Sequence, residues 1–173
     1  MHAFAGASVR VLSPCPAYLP SRGANDNSIV LKVTYGRRAL LLTGDAEHAA
    51  EESLLTGSAS ALRADVLKVG HHGSRTSSSS ALLAAVQPSF ATISCGVRNR
   101  FGHPVPEVMA RIARAGARVL RTDRDGALQL TSDGDSLQVL AAYPAPSTAF
   151  AYRLGRWLGV DATSGPVSGG APP

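Results

Sequence analysis

The sequence predicts an α/β fold of the layered α+β kind, a mixed sheet with helices on one face. Three observations carry that expectation. Apolar, β-branched strands come first and include a tight hairpin, so part of the sheet is antiparallel. Strands and helices then alternate, the order that builds parallel pairs. The clustered His, Gly and Asp residues fall in loops after strand ends, where such folds keep their chemistry.

Val9 to Leu12 reads as a strand. Pro14, Pro16 and Pro20 force a loop through Arg22-Gly23, closed by Asn25-Asp26-Asn27-Ser28. Ser28 to Tyr35 is the next strand, with Ile29, Leu31 and Val33 alternating to one face. Gly36-Arg37 turns it into Ala39–Thr43, whose apolarity on both faces places it centrally. Ala46 to Thr56 reads as a helix with Ala49, Ala50, Ser53 and Leu54 facing inward. Asp65 to Val69 and Phe90 to Ser94 read as strands. Between them, Ser77 to Gln87 is a helix opened by a serine cap and stopped before Pro88. Pro104 to Ala115 is a helix with proline in its first turn and Gly116 as its stop. Arg118–Arg121, Ala127–Leu130 and Leu137–Ala142 read as closing strands. The pattern holds over 1–143 and decays over 144–173, into a short helix at Ala149–Leu158 and a disordered tail.

The chain has 173 residues, 45% hydrophobic and 17% charged, which suits one domain with a real core and excludes wholesale disorder. No apolar run reaches the roughly 18 residues of a transmembrane helix, and Met1-His2-Ala3-Phe4 does not open a signal peptide. Neither feature fixes a location. Cys15 and Cys95 follow no zinc or redox spacing, which excludes a disulfide scaffold. The net charge is +5, and Lys32 and Lys68 are the only lysines. Arginine's planar fork suits phosphate, and a high-GC genome also writes arginine at every surface cation.

Four constellations could do chemistry. In Thr43-Gly44-Asp45 the aspartate follows an apolar strand, so it either caps the next helix or binds a metal. In Gly70-His71-His72-Gly73-Ser74 two adjacent histidines at a strand end are beyond a packing explanation. Imidazole is the commonest metal ligand and a general acid near neutral pH. The flanking glycines permit close backbone approach, and alternate projection gives the two rings different roles. Asn99-Arg100-Phe101-Gly102-His103-Pro104 places a histidine in another strand-end loop, with Arg98 and Arg100 suited to phosphate oxygens. Asn25-Asp26-Asn27-Ser28 is either turn chemistry or part of a site.

NDNS, LLLTGDAE, ADVLKVGHHGSRTSS, ISCGVRNRFGHP and RTDRDGAL, in that order, resemble the C-terminal half of the metallo-β-lactamase-like domain of ComEC competence proteins. The resemblance runs from about Val9 to Leu130. It implies half of an αββα sandwich and a metal-dependent hydrolase acting on DNA, a nuclease, during DNA uptake. By the same resemblance, Asp45, His71 and His103 hold metal, while His72, Ser74 and Asn99 serve catalysis. His71 and His72 can exchange roles, and Asn27 and Ser28 match further polar positions of the motifs.

The family's HxDxDH metal cradle is not in this sequence, where only His2 precedes the NDNS segment. The chain therefore reads as a C-terminal fragment, whether a truncated gene, a mispredicted start or half of a split protein. Two divalent ions, Mn or Zn, are expected in a complete domain, and weak or no metal binding in this chain alone. The expected partners are DNA phosphates, the N-terminal half-domain and the membrane channel of the parent protein. Two other readings stand beside this one: a non-catalytic remnant that binds phosphate or nucleic acid, and a different hydrolase of the same fold.

Overall fold

The computed structural model describes residues 2–14 and 17–142. The helix and tail expected beyond residue 143, and Cys15, lie outside the described residues. Strands β1 (His2–Phe4), β2 (Ala7–Ser13), β3 (Val30–Tyr35) and β4 (Arg38–Leu42) form an antiparallel ladder. Strands β5 (Val66–Lys68), β6 (Phe90–Ile93) and β7 (Arg118–Arg121) follow β4 in parallel. The seven strands lie side by side in chain order. Helices α1 (His48–Ser58), α2 (Ser80–Val86) and α3 (Pro106–Arg114) occupy the three parallel crossovers. Because the order never reverses and such crossovers are right-handed, the three helices share one face.

The ladder register sorts the side chains. Leu41, Leu67 and Ala91 stand abreast on the helix-covered face and are buried with Leu54, Leu82, Val86, Val108 and Ile112. Each large aliphatic side chain there contributes about 2 kcal/mol by burial. Val33, Leu40, Val66, Phe90 and Arg118 stand abreast on the other face.

That second face meets a separate two-stranded sheet, β8 (Ala127–Ser132) paired with β9 (Leu137–Ala142). These strands do not extend the main sheet, as their apolar patterns suggested. A single helical turn, α4 (Thr122–Asp125), and Gly126 at φ 69° turn the chain out of line after β7. Leu130 and Leu137 of the hairpin line an apolar cleft of about 210 Å³ with Val33, Leu40 and Val66. The two hairpin tips lock together. Arg37 N donates to Gly134 O at 2.7 Å, and a Cβ on Gly36 would sit 2.5 Å from that oxygen. Coverage is incomplete, and Val11 on β2 remains 48% exposed.

Three helices start later than expected. Val105 is extended and donates its N–H to Gly73 O, so α3 begins at Pro106 rather than Pro104. Ala46 N is bound by Thr43 O and Glu47 is extended, so α1 begins at His48. Residues 77–79 are held outside α2: Ser77 Oγ donates to Gly70 O, and Ser78 N and Ser79 N both donate to the Glu51 carboxylate. Ser79 then caps the helix by accepting from Leu82 N at 3.2 Å. Glu51 is only 2% exposed. Desolvation raises its pKa, against the backbone N–H groups that it accepts.

Candidate functional site

The chain leaves β4, β5 and β6 at their carboxyl ends, along one sheet edge, where α/β folds place ligands. Three loops meet there. Gly44, after β4, has φ 56° and lies so close to Ser28 that a Cβ would be 2.9 Å from that side chain. Ser28 Oγ accepts from Asp45 N at 3.0 Å. The Gly44 carbonyl accepts from His71 N at 3.2 Å and from Lys68 Nζ at 2.7 Å.

After β5 the backbone is left-handed at His71 (φ 40°), His72 (φ 54°) and Gly73 (φ 84°). Two of these residues carry a Cβ, at a cost of about 1–3 kcal/mol each that the surrounding bonds must offset. Val105 N donates to Gly73 O at 3.0 Å, and a Cβ on Gly73 would meet Pro104 Cβ at 2.5 Å. The GHHGS and GHP segments are therefore pressed together. The strained turn splays the two imidazoles to opposite partners.

His72 turns to Asp45. Its Nδ1 lies 2.6 Å from Ser94 O. A carbonyl only accepts, so Nδ1 carries the hydrogen, and Nε2 is the nitrogen left to offer a lone pair to a cation. That Nε2 is 3.6 Å from Asp45 Oδ1. Lys68 Nζ stands 3.8 Å from the same oxygen. Burial lowers the Lys68 pKa below the ordinary lysine value, while Asp45 pulls it upward. The alternative of Asp45 as a helix cap is taken by another residue: Asp26 Oδ1 accepts from Glu47 N at 3.1 Å and from Ala50 N at 2.9 Å.

His71 turns to Glu47, with Nδ1 2.6 Å from Oε1. The carboxylate fixes the hydrogen on Nδ1 here too. The same oxygen accepts from Thr76 Oγ1 at 2.9 Å and Asn25 Nδ2 at 3.3 Å. Burial alone would raise the Glu47 pKa, but the bonds from Thr76, His71 and Asn25 outweigh it and hold the pKa below the usual value. Ser74 is buried and its Oγ pairs with Thr76 Oγ1 at 3.1 Å, one step behind this acceptor. Glu47 and Thr76 were not among the residues singled out from the sequence.

His103 lies beside both. Its ring centroid is 5.7 Å from that of His71, and its buried Nδ1 has no hydrogen-bond partner. Desolvation, then His71 and His72, lower its pKa, which favours the neutral ring. Asn99 spends its amide on the loop: Nδ2 donates to Gly96 O and His103 O, and Oδ1 accepts from His103 N. It therefore positions His103. Asn27 is likewise a brace, donating to Leu19 O, Arg22 O and Gly23 O. His72, Ser94, Cys95, Gly96, Asn99, Phe101 and His103 line a cavity of about 430 Å³. Burial, then Asp123, raises the Cys95 thiol pKa.

Asp45 Oδ1 and His72 Nε2 are close enough to reach one divalent cation together, and the second-layer bond to Ser94 O has the polarity a ligating imidazole needs. They fit as part of a centre. Among the described residues no three His, Cys, Asp or Glu side chains form a metal-holding cluster.

Residues 10–97 match the family model described as Metallo-beta-lactamase superfamily. The chain is 45% identical over 121 residues to Competence protein ComA of Neisseria gonorrhoeae, covering 69% of this chain and 18% of that protein. It is 41% identical over 105 residues to ComE operon protein 3 of Bacillus subtilis (61% and 13%) and 36% identical over 150 residues to Recombination protein 2 of Haemophilus influenzae (87% and 18%). The chain thus spans less than a fifth of the length of these relatives.

Proposed function

The chain belongs to the metallo-beta-lactamase superfamily, and on that premise we propose that it is one part of a metal-dependent phosphodiesterase domain acting on DNA in natural competence. The observation that carries this reading is the pairing of His72 Nε2 with Asp45 Oδ1, a nitrogen and an oxygen donor aimed at one point. Asp45 and His72 hold metal in this reading, and His103 adds a neutral imidazole nearby. Divalent ions bound there would polarise the phosphate and lower the pKa of water. His71, held by Glu47, stands at the same edge with Nε2 free to exchange a proton with a substrate oxygen. The roles of the two adjacent histidines are thereby exchanged relative to the sequence-based assignment.

Two ions need about six protein donors, more than this edge supplies. The HxDxDH segment implied by the family resemblance would supply the others. The test is plasmid nicking in Mn²⁺ by the 173-residue chain and by the chain joined to an HxDxDH-bearing segment. Cleavage only by the joined protein is the expected result. Robust cleavage by the chain alone would show that other residues form the centre.

Lys68 favours a second reading. Its ammonium, 3.8 Å from Asp45, can balance the carboxylate without a metal, as in a non-catalytic phosphate-binding module. If the joined protein binds DNA but neither Mn²⁺ nor Zn²⁺ changes it, this second reading replaces the first.

A further inference from the structure

We propose that the loop from Gly96 to His103 is a stacking platform that receives an unpaired base of single-stranded DNA at the mouth of the histidine cavity. The inference rests on the phosphodiesterase reading for its choice of DNA and on the loop itself for the rest. Phe101 is 69% exposed, so its ring is accessible to a ligand and offers a large apolar stacking surface. It is held flat: the His103 ring stacks against it at 6.1 Å with 17° between planes, and the Arg100 guanidinium lies 5.3 Å from its centroid. The loop is braced from within by the three Asn99 bonds to Gly96 and His103, so the ring is presented on a built support.

The surroundings match a nucleotide. Phe101 and His103 line the same cavity as His72, so a base resting on Phe101 brings its own phosphate towards the candidate metal edge. Arg98 and Arg100 flank the ring in sequence, and neither forms an ion pair among the described residues. Every nucleobase has a face to stack, while a duplex hides those faces. The platform therefore selects unpaired over paired DNA and is indifferent to sequence.

The test is anisotropy of fluorescent oligothymidylate with the full chain in EDTA, where no cleavage is possible. Phe101→Ala should weaken binding by about tenfold, the weight of one stacked base, and Phe101→Trp should restore it. Neither change should alter binding of polyphosphate, which has charge and no bases. Arg98→Ala with Arg100→Ala should weaken both ligands and flatten the salt dependence. Equal binding of the oligonucleotide by wild type and Phe101→Ala would overturn the proposal, as would tighter binding of duplex than of single strand, or of oligouridylate than of oligothymidylate. Because the assay needs no metal, its failure is distinct from failure of the nicking assay.

Discussion

His72 Nε2 lies 3.6 Å from Asp45 Oδ1, whereas the adjacent His71 places its Nδ1 2.6 Å from Glu47. Two residues neighbouring in sequence thus serve two sub-sites, because left-handed backbone at both positions sends their rings apart. In the domain completed by an HxDxDH segment, His72→Ala should weaken Mn²⁺ binding at least about tenfold, and His71→Ala should leave it within about threefold. Isothermal titration measures both. The opposite ranking would return the ligand role to His71.

Glu47 gathers bonds from His71, Thr76 and Asn25 on one oxygen. Glu47→Ala leaves three donors without that acceptor and should cost about 1–2 kcal/mol of stability, read as a lower urea midpoint at unchanged slope. In the completed domain it should also lower the cleavage rate while Mn²⁺ affinity holds. A parallel loss of rate and affinity would place Glu47 in the metal site instead.

Gly73 and Gly116 form a matched pair, with φ of 84° and 76°. A Cβ at Gly116 meets nothing within 4 Å, whereas at Gly73 it meets Pro104 Cβ at 2.5 Å. Both substitutions to alanine pay the left-handed strain, about 1 kcal/mol. Gly73→Ala should cost about 1–3 kcal/mol more, because it also forces the GHHGS and GHP segments apart. Equal losses in denaturant titration would mean that these segments are not in contact.

Asp123 reports on acid stability. Its side chain is 13% exposed and takes two bonds from Arg121, at 3.0 and 2.7 Å. Those bonds hold its pKa below the ordinary 3.8, against desolvation. The native state therefore binds its proton more weakly than the unfolded chain does. The resulting stability is present above about pH 3.8 and is lost as pH falls through the folded value. Asp123→Asn should destabilise by on the order of 2 kcal/mol at pH 7, with the gap to wild type narrowing in thermal melts only as pH falls below about 3.8. A gap independent of pH would mean that the carboxylate's charge contributes nothing.

The succession of strands and helices from β2 to β7 was legible because each strand carries an apolar pattern and the crossovers carry helix signals, whereas β1 and the side-by-side order of the strands were not. The departure of β8 and β9 was not, since strand patterning says that a segment pairs but not with which sheet. Asp45, His71, His72 and His103 stood out as clustered ligand types beside glycines. Glu47 did not, because an acid beside a helix start reads as an answer to the helix dipole. Its contact to His71, 24 residues on, leaves no trace in local spacing. Its place two residues after Asp45, in the same strand-end loop, was the available signal.

The sheet face opposite the helices is only partly covered. Val11 pairs with Leu31, which pairs with Leu42, so three apolar side chains stand abreast there. The β8–β9 hairpin closes over Val33, Leu40 and Val66, yet Val11 stays 48% exposed and Ile29 62% exposed. A two-stranded hairpin is too narrow to cover a seven-stranded sheet, and in an αββα sandwich a second sheet would take this face. Left open, apolar surface at this face favours association, each buried Å² contributing about 25 cal/mol. The isolated chain should therefore show a sedimentation coefficient that rises with concentration, and Val11→Lys with Ile29→Lys should flatten that rise without lowering the melting temperature of the helix-covered core. A wild-type chain that stays monomeric at high concentration would mean that the hairpin already satisfies this face.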